Sequence, residues 1–247
     1  MEPLDGKIMG QLTTISFFRF TGLKGKMWAF GMMQFAHARM RHVEGMEFYK
    51  LMGTGKAQFN PFPDWSVYAI LQTWSNEAAA DRFFSSNGLF HHYQKMSKEH
   101  WVLYLRNRIA RGHWDGSNPF IKSDTLTDQI PYVVALTRAT IKTRFLLKFW
   151  RFVPKSQTEL WGNNGLMYTK GVGEVPFQQM ATFSVWKDEA SLNAFAYQTQ
   201  GHVKAIGKTR ELGWYREELF ARFQPYRSMG TWNGQNPIPG LTKQGIP

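Results

Sequence analysis

The chain of 247 residues has no cysteine, few carboxylates and no long uninterrupted hydrophobic run. The lack of cysteine excludes disulfides, cysteine nucleophiles, thiolate-ligated haem, cysteine-bound iron–sulfur clusters and cysteine-based zinc sites. Any bound metal would therefore need histidine or oxygen ligands. Charged residues such as Arg19, Lys24, Lys148 and Arg151 interrupt every apolar stretch before it reaches about 18 residues, so no transmembrane helix is predicted.

Positive charge is in excess, with 30 Lys and Arg against 18 Asp and Glu, a formal net charge of +12. This balance suits nucleic acid, an anionic ligand, an anionic lipid surface or an acidic protein partner. The basic residues are scattered through predicted strands and helices, so nucleic acid binding is not favoured. The first residues lack the basic region and apolar run of a secretory signal, which makes a cytoplasmic location the expectation.

The two halves of the chain match each other as an internal duplication. Three pairs of segments carry the match: ISFFRFTGLKGKMWAF (15–30) with VALTRATIKTRFLLKF (134–149), GMEFYKLMGTG (45–55) with GLMYTKGVGEV (165–175), and YAILQTWSNEAAADRFF (from 68) with TFSVWKDEASLNAFA (from 182). The first two pairs align Arg19 with Arg138 and Lys50 with Lys170. Because the landmarks keep one order in both halves, duplication explains them better than chance.

Each copy is predicted to run strand, helix, strand, strand, helix, strand, which is the ferredoxin-like unit. In the first copy the strands are expected at 12–20, 46–54, 65–74 and 101–108, with helices at 23–41 and from 77 to about 98. The last strand of the second copy is expected at 214–223, after a helix ending near 208. The predicted fold class is α+β, with two units (12–108 and 129–223) packed as one barrel, a linker at 109–128 and an irregular C-terminal extension at 224–247.

Differences between the copies indicate where a ligand would bind. One predicted helix face of the second copy carries Leu192, Phe195, Thr199, His202 and Ile206 at spacings of three and four. The first copy has Leu89 or Phe90 where the second has His202. An imidazole in an apolar stripe is either a buried histidine bonded to a carbonyl or a ligand, and the spacing leaves both interpretations open.

The remaining polar candidates carry weaker signals. The other histidines (His37, His42, His91, His92, His100 and His113) are predicted to lie at the surface, and no HxxxH or HExxH pattern supports a zinc hydrolase. Arg138 and Lys170 are repeated as Arg19 and Lys50. The repeated pairs are therefore either structural or, in the second copy, able to neutralise an anionic ligand.

Eight motifs follow one another along residues 12–223: ISFFRF, LKGKMWAFGMM, FYKLMGTG, VYAILQTW, LTRATI, LKFWRFVP, KGVGEVP and GWYREELFARF. Together they resemble the spheroidene monooxygenase family of carotenoid biosynthesis. The resemblance implies a haem-dependent oxygenase that uses O2 and electrons from a reduced ferredoxin. It would introduce a keto group, by two successive hydroxylations, at C-2 of an acyclic carotenoid such as spheroidene.

The resemblance also implies a site. Haem proteins of the related dimeric α+β barrel superfamily hold the iron through a histidine on a helix of the C-terminal unit, and His202 fits that description as ligand to haem b. Arg138 is the candidate for stabilising bound oxygen or a propionate, with Lys170 and Ser184 as further polar candidates.

Two other classes stay open at this point. A haem protein of the same fold could perform a dehydration or a peroxidation, and a non-catalytic barrel could bind a hydrophobic ligand. The basic composition suits an acidic ferredoxin, and also peripheral contact with the inner membrane face. The sequence does not specify the oligomeric state.

Overall fold

The computed structural model describes residues 10–57, 60, 62–156, 163–198 and 212–241. The eight strands of these residues form one closed barrel in the order β1-β3-β2-β6-β7-β5-β8-β4. Along the chain the elements are β1 (Leu12–Arg19), α1 (Gly22–Phe35), α2 (His37–Met40), β2 (Met46–Gly55), β3 (Pro63–Trp74), α3 (Glu77–Ser86), α4 (Gly88–Met96), β4 (Glu99–Gly112), β5 (Val133–Ile141), a 3-10 turn (Thr143–Phe145), α5 (Leu146–Ser156), β6 (Leu166–Val175), β7 (Gln179–Trp186), α6 (Glu189–Gln198) and β8 (Tyr215–Gly230).

Each half of the chain contributes four antiparallel strands, which confirms the predicted α+β fold of two ferredoxin-like units in one barrel. In the first unit β1 pairs with β3 and β4, and β3 pairs with β2. In the second unit β5 pairs with β7 and β8, and β7 pairs with β6. Two seams join the units. The β4–β8 seam is long, whereas the β2–β6 seam consists of Gly53 with Gly173 and Thr54 with Val172.

Strand β1 is buried on both sides because it separates the barrel interior from an outer layer of helices. Phe17 of β1 points inward, with its ring centroid 5.3 Å from Phe183 of β7. Phe18 points outward, 4.9 Å from Tyr93 of α4. Both phenylalanines are 0% exposed. Since successive strand residues alternate between faces, this double burial explains why β1 is almost continuously apolar.

The structural equivalence of β1 and β5 differs from the sequence match by two residues. Leu12 pairs with Trp74 in the first unit, and Val133 pairs with Trp186 in the second. Leu12 therefore corresponds to Val133, and the predicted alignment of Arg19 with Arg138 is wrong as a backbone register. A shift of two preserves which face of the strand each residue occupies.

Several predicted boundaries also differ. The single helix expected from 77 to 98 is two helices, because the Asn87 side chain accepts hydrogen bonds from the backbone N–H of Leu89 and Phe90 and caps α4. β4 continues to Gly112 and β8 to Gly230, beyond the predicted ends at 108 and 223, since the two strands remain paired there. The predicted helix end near 208 lies outside the described residues.

Two matching loops follow these long strands, in the segments predicted as linker and extension. One contains Trp114-Asp115-Gly116 and the other Trp232-Asn233-Gly234; Asp115 and Asn233 both have positive φ, 55° and 57°. The Trp232 ring lies 6.0 Å from that of Phe17 in the barrel interior. Because β4 and β8 are antiparallel, the two loops insert a tryptophan at opposite ends of the barrel.

Gly112 is required where β4 turns into the first of these loops. Its φ is +96°, and a Cβ would lie 2.1 Å from the backbone oxygen of Glu218. Gly116 has a similar φ of +81° but nothing within 4 Å of the Cβ position. We expect Gly112→Ala to lower the free energy of unfolding by about 2 kcal/mol and Gly116→Ala by about 1 kcal/mol, measured by urea denaturation. Equal losses would contradict a steric role for the β4–β8 contact.

Candidate functional site

The helix-facing side of the sheet carries smaller side chains in the second unit than in the first. With the structural register, four large first-unit residues give way to small ones: Phe18 to Ala139, Tyr49 to Thr169, Leu51 to Gly171 and Ile70 to Thr182. Thr137 on this side is solvent-exposed although it lies in the middle of β5. A Cβ at Gly171 would meet no atom within 4 Å. The second unit therefore carries less side-chain volume on this side of the sheet than the first.

His202 lies outside the described residues, whereas its first-unit counterparts, Leu89 and Phe90, lie within them. In the first unit the rings of Phe18 and Phe90 are 6.1 Å apart. The residue equivalent to Phe18 in the second unit is Ala139. A small side chain at this position suits a flat group such as a porphyrin, and the role of His202 as its axial ligand stays a prediction.

Ser184 lies on this same helix-facing side of β7. It is 6% exposed and pairs with Ala135 of β5. Its hydroxyl accepts a hydrogen bond from Nε1 of Trp186 at 2.9 Å and lies 3.5 Å from the backbone oxygen of Ala135. The position suits contact with a group bound between sheet and helices, and the catalytic role of Ser184 stays a prediction.

Arg138 lies on the opposite face, in the barrel interior, with a side chain 2% exposed. Its guanidinium forms an ion pair with Glu217 and lies 5.4 Å from the ring centroid of Trp114. Glu217 also accepts a hydrogen bond from the backbone N–H of Gly116 at 2.8 Å. Arg138 therefore connects β5 and β8 to the Trp114 loop.

The first unit repeats this arrangement. Arg19 lies 3.4 Å from Glu99 and 4.3 Å from the ring centroid of Trp232, and Glu99 accepts from the N–H of Gly234 at 2.7 Å. Such a repeat favours the structural interpretation of Arg138. Its predicted role towards oxygen or a propionate stays a prediction.

Lys170 points into the barrel seam and lies 2.8 Å from Asp64 at the start of β3. Burial alone would raise the pKa of Asp64, but the Lys170 ammonium and the Ser66 hydroxyl outweigh it and hold that pKa below its ordinary value. Lys50, its counterpart, pairs with Asp115 and Glu174. Both lysines thus bridge the two units near the short seam, and a ligand role for Lys170 stays a prediction.

Glu217 gives a testable pH dependence. Burial alone would raise its pKa, but the N–H of Gly116 and the Arg138 guanidinium outweigh it and hold that pKa below the ordinary 4.5. A lowered pKa in the folded state contributes stability above pH 4.5 that is lost as the pH falls through the lowered value. Below pH 4.5 the Tm of Glu217→Gln should therefore fall less steeply than the Tm of wild type. The exposed Glu218→Gln is the control, and identical curves for wild type and Glu217→Gln would contradict the assignment.

A second site, missed from the sequence, is a cavity of about 860 Å³ between α1 and β2 at the short seam. Its walls include Phe30, Met33, Phe35, His37 and Glu174. This volume lies within the range of small-molecule sites. Its walls come from both units, which sequence spacing does not reveal.

His37 is the titratable group best placed to contact a molecule in this cavity. Its Nδ1 is 3.0 Å from the Tyr49 hydroxyl. Burial, together with the charges of Arg41 and Lys50, lowers the pKa of His37. The imidazole is therefore neutral at pH 7, and it is half-buried rather than at the surface as predicted. No group of three or more His, Asp or Glu side chains with metal-binding geometry occurs among the described residues.

The closed barrel of two ferredoxin-like units defines a tandem dimeric α+β barrel protein. A crystal structure of aldoxime dehydratase superposes with a TM-score of 0.57, covering 88% of this chain and 82% of that one at 10% identity. Another crystal structure of an aldoxime dehydratase, in complex with butyraldoxime, superposes with a TM-score of 0.58, covering 88% of this chain and 80% of that one. These likenesses confirm the fold. No helix in the part of the chain that the structure describes is long and apolar enough to cross a membrane.

Curated relatives specify the family. Spheroidene monooxygenase of Cereibacter sphaeroides is 36% identical over 230 residues, covering 92% of this chain and 71% of the relative. The Rhodobacter capsulatus protein of the same name is also 36% identical, covering 92% of this chain and 95% of the relative. No protein-family model matches the chain. The chain belongs to the spheroidene monooxygenase family, which confirms the predicted family and the assignment as a monooxygenase.

Proposed function

We propose that the protein is a haem-dependent monooxygenase that introduces a keto group at C-2 of an acyclic carotenoid such as spheroidene. Family membership supports the carotenoid substrate. The observation that carries haem binding is the replacement of Phe18, Tyr49 and Leu51 by Ala139, Thr169 and Gly171 on the helix-facing side of the second unit. Haem b would be held there by His202 and would supply the activation of O2.

The chemistry balances with two hydroxylations at one carbon. Each replaces a C–H by a C–OH and consumes one O2, two electrons and two protons, with release of one water. The second gives a geminal diol, which loses water to become the ketone. The chain's own contribution is to orient an apolar substrate against the helix-facing side of β5–β7 and to exclude water. Ser184 would present one of the hydroxyls on that side.

The electrons require a donor, and the second unit has a basic face suited to an acidic one. Lys148 and Arg151 of α5 are exposed at a spacing of three and share one side of the helix, and the exposed Arg144 lies in the 3-10 turn that precedes it. We propose that a reduced ferredoxin docks on this side of α5, in the unit proposed to hold the haem. Phe149 of α5 packs against Trp214, 5.7 Å between ring centroids, which fixes the helix against the unit.

The test combines a spectrum with turnover. Purified protein titrated with haemin should develop a Soret band. With spheroidene, O2 and reduced ferredoxin it should give a product that has gained one oxygen and lost two hydrogens, identified by mass spectrometry. Failure to bind haemin would overturn the haem proposal. A Soret band without O2-dependent product would point instead to a dehydratase or peroxidase of the same fold.

A further inference from the structure

Exposed apolar side chains concentrate on α1 and the adjoining start of β3. Leu23, Met27 and Phe30 are 78%, 58% and 50% exposed, and their spacings of four and three place them on one side of α1. Phe30 packs against Trp65, 5.2 Å between ring centroids, and Phe62 beside it is 60% exposed. These five residues form the α1 face. Contiguous exposed apolar surface of this kind marks an interaction site.

The fold itself does not require this composition. In the second unit the segment after β5 carries the exposed cations Arg144, Lys148 and Arg151 beside the exposed Leu147. The outer side of the first helical segment is thus mainly apolar in one unit and mainly cationic in the other. Since both helices cover the same kind of sheet, the apolar side chains of α1 serve something outside the barrel.

The chain segment that contains α1 is cationic. Residues 10–43 contain five Lys and Arg and no Asp or Glu. Lys24 and Lys26 lie on α1 itself, and the backbone N–H of Lys56 donates to the backbone oxygen of Phe62 at 3.0 Å. Asp64, the carboxylate next to Trp65 in the chain, is neutralised by Lys170 at 2.8 Å. The surface that binds the α1 face must therefore accept aromatic and aliphatic side chains and carry negative charge.

We propose that the α1 face docks on the surface of an anionic lipid bilayer. Tryptophan, phenylalanine and leucine flanked by lysines are the composition of helices that lie in a membrane interface. A second copy of the chain fits less well, because a symmetric contact would bring Lys24 and Lys26 against their own copies. Phe30 also lines the 860 Å³ cavity.

The proposal is independent of haem and of carotenoid turnover, and its test needs neither. Full-length protein is co-sedimented with vesicles of phosphatidylcholine alone or mixed with phosphatidylglycerol. We expect binding to the mixed vesicles, weakened by added salt. Leu23→Ser with Phe62→Ser should reduce that binding at least about tenfold, because both side chains are exposed and would enter the interface. Lys24→Gln with Lys26→Gln should reduce it for the anionic vesicles.

Matched controls come from exposed residues elsewhere. Leu147 and Ile121 are 84% and 62% exposed, so Leu147→Ser with Ile121→Ser removes similar apolar surface. Lys95→Gln with Lys122→Gln removes the same charge as the α1 pair. Control variants should bind like wild type. No binding of wild type, equal loss in the controls, or self-association abolished by Leu23→Ser with Phe62→Ser in place of vesicle binding would overturn the proposal.

Discussion

Replacing Arg138 by Met should lower the free energy of unfolding by about 3 kcal/mol, because it leaves a partly buried carboxylate without its partner. The side chain of Arg138 is 2% exposed and that of Glu217 is 20% exposed. Methionine fills much of the same volume, so the loss would reflect charge rather than a cavity. Lys50, a neighbouring cation, already pairs with Asp115 and Glu174 and so does not replace Arg138 as the partner of Glu217. Urea unfolding at neutral pH measures the effect.

Arg19→Met is the matched control in the other unit. Arg19 is 30% exposed and lies 3.4 Å from Glu99, so water screens this pair more and its loss should cost about 1 kcal/mol. The comparison also separates the two interpretations of Arg138. If Arg138→Met is as stable as Arg19→Met but loses monooxygenase activity, Arg138 acts on a ligand and its structural assignment is wrong.

The duplication made much of this architecture predictable. Repeats of Arg, Lys, Gly and Trp at fixed order predicted two ferredoxin-like units. The register was predicted less well. Arg19 and Arg138 align in sequence because both reach a tryptophan loop, yet their backbones are two residues out of step. A long side chain such as arginine can keep the same contact when its strand is shifted by two residues. A sequence match therefore identifies the shared contact but not the backbone register.

Other features needed the three-dimensional arrangement. The Trp114 and Trp232 loops lie in segments assigned as linker and extension, although HWDGS and TWNGQ match and could have revealed them. His37 meets Tyr49 across a loop, and periodicity carries no information on such a contact. The α1 helix has a helical apolar pattern that suits a core face or an interface equally. Only burial distinguishes the two, and here Leu23 and Met27 are exposed.

Restoring the first unit's phenylalanine in the second unit should weaken haem binding strongly. Ala139 occupies the position of Phe18, whose ring fills the space beside Phe90. In Ala139→Phe a phenyl group would occupy the space proposed for the porphyrin. The overlap should cost binding about 3 kcal/mol, roughly 100-fold in affinity. Haemin titration followed at the Soret band measures this loss. His202→Ala should lose the band as well, because it removes the proposed axial ligand.

The haem-free Ala139→Phe protein should keep its fold, since the first unit accommodates the same residue at the equivalent position. Circular dichroism and urea unfolding establish this before the titration. Ala38→Phe, on an exposed position of α2 in the first unit, adds the same ring away from the proposed site and should bind haemin like wild type. A wild-type Soret band in Ala139→Phe would place the haem elsewhere, and the cavity beside His37 would then be the site to examine by His37→Ala.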